Sequence, residues 1–79
     1  MSATYNATRD AARNLRAQAE MDALRALMSD GRPRTAADIE RRTGWNAIKV
    51  GKVAEPFIEA GELEKFRLEG LVAYEWRAE

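Results

Sequence analysis

Apolar residues recur along this chain at two different periods, and the change of period divides it. Met21, Leu24, Leu27 and Met28 are spaced by three and four, which is one face of a helix. That helix, Met21 to Ser29, is stopped by Asp30-Gly31, and Pro33 prevents it from resuming. Thr35, with Asp38 three residues on, makes a capping-box-like start to a second helix, because hydroxyl and carboxylate satisfy amides the first turn leaves free. Ala36 and Ile39 face inward there, leaving Glu40, Arg41 and Arg42 outside and Ala37 open between the two sides. Gly44 can take a left-handed conformation and ends the helix sharply. Asn46 is the next N-cap, and Val50, Val53, Ala54, Phe57 and Ile58 form a single helical face to about Ala60. After Gly61 the period shortens toward two, and ELEKFRLEGLVAYEWR reads as a hairpin around Glu69-Gly70.

Two residues disturb the third helix. Gly51 lies on its outward side at a cost of about 1 kcal/mol relative to alanine, either tolerated or serving close approach of a partner. Pro56 has no N–H for the carbonyl of Lys52 and crowds it, so a kink or restart is expected near Glu55. In the hairpin, a two-residue loop opposes Glu64 to Glu75 and Leu63 to Trp76. The alternative pairs Leu68 with Val72, Phe66 with Tyr74 and Lys65 with Glu75. Like charges directly opposed are unfavourable, so the second register is the one expected.

Residues 1–18 are polar and alanine-rich, with good helix formers after Thr8. If they continue the next helix, Tyr5, Thr8, Ala12, Leu15 and Ala19 make a thin stripe opposite the core-facing side. Three readings stay open for this arm: a dimerisation helix, a basic arm along a nucleic-acid backbone, and a frayed tail. The expected division is therefore an arm over residues 1–18 and one domain over 19–79.

Composition narrows the chemistry. Seventy-nine residues make one small domain, which buries only about 60% of its unfolded surface. The hydrophobic share of 46% includes fifteen alanines. The large core candidates are Met21, Leu24, Leu27, Met28, Ile39, Trp45, Phe57, Ile58, Leu63, Phe66, Tyr74 and Trp76. With no cysteine and no histidine, the chain lacks thiol nucleophiles, thiolate ligands and the commonest general base. No metal, cofactor or catalytic residue is expected. No apolar run approaches the roughly 18 residues of a membrane span, and the start lacks a signal-peptide core, so a cytoplasmic protein is expected. Formal net charge is zero, from 13 basic and 13 acidic residues. Its distribution is uneven: residues 32–53 sum to +4 and residues 54–79 to −4, a dipole that is basic around the two short helices.

Two short helices joined by a glycine turn have the form of a helix-turn-helix. With the preceding helix, the Gly-Glu-Leu stop and the closing hairpin, the chain resembles the winged helix-turn-helix family of small bacterial and phage regulators. TAADIERRTG, VGKVAEPFIEAGEL and LVAYEW carry the resemblance, over about residues 19–77. It implies a mostly helical α+β fold: a three-helix core, a two-stranded wing and an N-terminal helical extension. It also implies that the third helix enters the major groove of double-stranded DNA, presenting Asn46, Ala47, Lys49, Gly51 and Lys52. Lys65 and Arg67 become the wing's phosphate contacts. Arg32, Arg34, Thr35, Arg41 and Arg42 are candidate phosphate contacts around the start of the second helix and the turn. The chain departs from the family in a short acidic wing (Glu62, Glu64, Glu69), a groove-facing surface with two lysines and no arginine, and Ala54 where a larger aliphatic residue is usual. So few contacts imply a homodimer reading two half-sites, with Tyr5, Ala12, Leu15 and Ala19 as the candidate interface. The expectation is a sequence-specific DNA-binding regulator. The alternative is a protein-interaction module, an adaptor or phage-type inhibitor, docking on a protein partner through its acidic wing and apolar Leu68, Leu71 and Ile48.

Overall fold

Thr35 and Asn46 both cap helices, and what the caps start and the glycines stop sets the layout. The structure, a computed structural model, describes residues 2–77, with side chains described over 11–77. The elements run α1 (Ser2–Met28), β1 (Arg34–Thr35), α2 (Ala36–Thr43), α3 (Ala47–Glu59), β2 (Leu63–Leu68) and β3 (Leu71–Trp76). The three strands form one antiparallel sheet in the order β1-β3-β2, so the fold is a small α+β unit.

The arm of residues 1–18 and the Met21–Ser29 helix are one continuous helix of 27 residues. No glycine or proline interrupts the chain before Gly31, and alanine-rich sequence propagates a helix that is already nucleated. At 1.5 Å per residue α1 is about 40 Å long, and it accounts for an elongated molecule of 53 × 26 × 18 Å. Only the C-terminal part of α1 packs. Residues 11–19 are exposed throughout, whereas Leu24 and Met28 are fully buried.

The core joins Leu24 and Met28 of α1, Ile39 of α2, Val50, Val53, Ala54 and Phe57 of α3, and Leu63 and Tyr74 of the sheet. Met21, Leu27, Trp45, Ile58, Val72 and Trp76 pack around it. Phe57 is at the centre: its ring meets Trp76 edge-to-face at 5.4 Å, and the Arg25 guanidinium lies 5.2 Å from its centroid.

Four expectations are corrected. First, the sheet has a third strand: β1 pairs with β3, Arg34 opposite Tyr74 and Thr35 opposite Ala73. Two residues carry no alternation to read, but Pro33 biases the residue before it toward extended backbone as the chain approaches them. Second, the hairpin takes the register that opposes Glu64 to Glu75 and Leu63 to Trp76, with Phe66 opposite Ala73. A one-residue slip would turn β2 over and expel Leu63, which is 3% exposed, from the core. Burial of that leucine is worth about 1.5–3 kcal/mol, against about 0.2–1 kcal/mol for an exposed like-charge pair. The turn residues comply, with Glu69 at φ +53 and Gly70 at φ +84, as a two-residue loop with positive φ at both positions requires. Third, this register puts Phe66 on the sheet face away from the helices, half-buried and outside the core cluster. Ala37, left open by the sequence, is exposed. Fourth, α3 does not restart near Glu55; it runs unbroken from Ala47 to Glu59 with Pro56 inside it.

Candidate nucleic-acid interface

The basic stretch before and along α2 folds onto one carboxylate. Thr35, extended at φ −72 and ψ 156, caps α2 by accepting the Asp38 N–H at 3.1 Å. The Asp38 carboxylate faces the arginines. Its Oδ1 accepts from Arg41 Nη2 at 2.9 Å, and its Oδ2 accepts from Arg42 Nε at 2.9 Å and Arg34 Nη1 at 3.2 Å. Those bonds, from Arg41 first and then Arg42, hold Asp38 down at a pKa of about 2, with desolvation opposing them and Arg34 adding to them. Arg34 also donates from Nη2 to Asp30 Oδ2 at 2.8 Å. Asp30 is itself lowered, chiefly by the Arg32 backbone N–H donating to Oδ1 at 3.0 Å, and then by the charges of Arg34 and Arg32 against the effect of burial.

The arginines thereby separate into two kinds. Arg34 is 16% exposed, paired to both aspartates, with Nε buried and unpartnered, so it braces the loop, β1 and α2 together. Arg41 is 77% exposed and Arg42 about half exposed, and each has donors left over. Arg32 is exposed as well.

The turn is tight. Gly44 sits at φ +81 and donates to the Glu40 carbonyl at 2.7 Å. Thr43 Oγ1 accepts the Trp45 N–H at 3.2 Å, and Trp45 plugs the gap behind the turn against the core. Asn46 Oδ1 accepts the Lys49 N–H at 2.8 Å, capping α3 and leaving the side-chain NH₂ free of that bond.

Around α3, Val50, Val53, Ala54 and Phe57 point inward, and the 100° step per residue then assigns the remainder. Ile48, Lys52 and Glu55 form the outer ridge, all exposed, with Ala47 and half-buried Gly51 on one flank. A Cβ added at Gly51 would meet nothing within 4 Å, so internal packing does not require glycine there. Lys49 lies on the other flank, beside α1, and its Nζ pairs with Glu20 Oε2 at 2.6 Å. A notch of about 210 Å³ opens at this junction, lined by Ala17, Glu20 and Met21 of α1 and by Lys49, Lys52, Val53 and Pro56 of α3. The five candidate base-contact residues thus fall on one exposed end of α3, with Lys49 already ion-paired.

In the hairpin, directly opposed residues share a face. Lys65 and Arg67, opposite Tyr74 and Val72, are on the helix side of the sheet. Both are exposed, and Arg67 Nη1 donates to the Gly70 carbonyl at 3.0 Å. On α1, Ala12, Leu15 and Ala19 are all exposed, Leu15 at 73%. The Tyr5 side chain lies outside the described residues. Asp38 as the arginine hub was readable from its spacing of three and four to Arg41 and Arg42. Glu20, 29 positions from Lys49, had no such signal. Among the described residues no group of His, Cys, Asp or Glu has the grouping to hold a metal ion, and no helix is long and apolar enough to cross a membrane. Comparison with protein-family models, with characterised proteins and with solved structures finds no match to this chain.

Proposed function

We propose that this domain is a cytoplasmic DNA-binding regulator of the winged helix-turn-helix kind, acting as a homodimer with α3 of each copy in the major groove of duplex DNA. The observation that carries the reading is the run of arginines along α2, Arg32 and Arg34 before its capped start and Arg41 and Arg42 in its last turn, one glycine turn from the exposed end of α3. The element order, with β1 completing the hairpin sheet, supports the winged form. Arg32, Arg41 and Arg42 present phosphate donors that fix position, and Arg34 holds the segment that carries them. Asn46 suits an adenine edge and Lys52 a guanine edge, each good pair being worth about 1–3 kcal/mol of discrimination. Exposed Ile48 suits a thymine methyl. Lys49 joins them on release from Glu20, a partly exposed pair whose loss costs about 0–1 kcal/mol. Lys65 and Arg67 reach the adjacent backbone. This contact set is small for one domain, and the exposed Ala12–Leu15–Ala19 line on α1 supplies the second copy's docking face.

A labelled random duplex titrated at low salt and then at rising salt tests the reading. Affinity should fall log-linearly with salt, with a slope of about −0.9 for each phosphate neutralised. Absence of binding at low salt removes the proposal. Lys49→Ala with Lys52→Ala should abolish sequence preference; a preference that survives puts the base contacts elsewhere.

A further inference from the structure

The hairpin has a second face that DNA binding leaves unused. Pointing away from the helices are Glu64, Phe66 and Leu68 of β2 and Leu71, Ala73 and Glu75 of β3. Leu68 and Leu71 oppose each other beside the turn and are 41% and 57% exposed, with half-buried Phe66 next along β2. At the other end of the same face Glu64 and Glu75 are directly opposed, and Glu69 is in the exposed turn. The one countercharge recorded at that pair among the described residues is Arg77, whose Nη1 is 3.7 Å from Glu64. Lys65 and Arg67 are on the opposite face and cannot neutralise it.

We propose that this outer face is a docking surface for a basic, apolar segment of another protein. A contiguous apolar pair held out in water gains free energy on being covered. The opposed carboxylates add the sign of the partner, because a lysine or arginine set between them relieves a repulsion that the hairpin's register imposes. The same carboxylates exclude two other occupants. Phosphate backbones and anionic lipid headgroups are repelled, and a second copy laid on this face with its strands running the same way brings its own Glu64 and Glu75 against the first pair.

The experiment is a titration of the isotope-labelled full chain, followed through its backbone amide resonances, with a short end-capped peptide of alternating lysine and leucine. Saturable shifts at Glu64, Phe66, Leu68, Leu71 and Glu75 are expected. Binding should be at least about tenfold weaker for a glutamate–leucine peptide and for plain oligolysine. It should drop by a similar factor in the L68S/L71S double variant, whose exposed positions leave the core intact and whose DNA titration is unchanged. E64Q with E75Q should weaken the lysine–leucine peptide while leaving the glutamate–leucine peptide no weaker. Equal binding of all three peptides, shifts confined to α2 and α3, or undiminished binding by L68S/L71S overturns the proposal. Concentration-dependent shifts of these residues without peptide place a second copy on the face and overturn it too.

Discussion

Asp38 concentrates the electrostatics of α2 on one group, and its titration gives the first prediction. Its folded pKa of about 2 lies below the ordinary value of 3.8. A carboxyl lowered by folding stabilises the fold fully above its unfolded pKa and loses that contribution as pH falls through the folded one. Stability should therefore decline between about pH 4 and pH 2, and Asp38→Asn should be less stable at neutral pH with a flatter acid limb, as read from urea midpoints across pH. Gly44 acts through geometry alone. At φ +81 an added Cβ meets nothing within 4 Å, so the cost of Gly44→Ala is the left-handed backbone itself, about 1–2 kcal/mol. Glu69 is the converse case, a side chain already held at φ +53. Asn tolerates that conformation better, and Glu69→Asn should stabilise by roughly 0.5–1 kcal/mol, a rise in Tm of a few degrees for a domain of this size.

At the scale of elements, α3 carries proline where a helix interior tolerates it least. Pro56 is exposed and the helix continues through it, so its burden is the missing bond to Lys52 and the crowded carbonyl. Pro56→Ala should raise stability by about 1–3 kcal/mol, measured by urea denaturation. Phe57, beside it, should behave oppositely, with Phe57→Ala costing about 3–5 kcal/mol, enough to unfold much of a small domain. These elements differ in how far residues announced them. Thr35, Gly44 and Asn46 act through neighbours three or four positions away, so both caps and the turn between them were legible. The register was not, because the repulsion of Glu64 and Glu75 is visible locally whereas burial of Leu63 depends on where the sheet packs. β1 is too short for a period. At the candidate interface the positions of Arg41, Arg42 and Asn46 were readable; the capture of Arg34 by Asp30 and Asp38, four residues to either side, depends on the loop and cap geometry, and that of Lys49 by Glu20 arises from tertiary folding.

Over the whole molecule the division is between a packed end and a projecting one. The core begins at Met21, and residues 11–19 of α1 contribute no buried side chain. A chain lacking residues 1–17 should therefore keep its fold. In light scattering the full chain should run as a dimer and the shortened one as a monomer; two dimers would move the interface off this helix, and two monomers would remove the dimer.

The sheet order leaves β2 as an outer strand, and its alternation has a consequence for solubility. A strand edge invites pairing with its own copy, and a chain with zero net charge has no global repulsion to prevent it. Antiparallel self-pairing requires opposed side chains to point the same way, which restricts the two-fold registers. Centred on Glu64, Lys65 or Arg67, each sets that residue against its twin; centred on Phe66, it sets Lys65 against Arg67. All four juxtapose like charges. The sequence Leu-Glu-Lys-Phe-Arg-Leu is thus a strand that pairs with β3 and disfavours its own copy in these four registers, and exchanging Glu64, Lys65 and Arg67 for threonine should promote precipitation edge to edge.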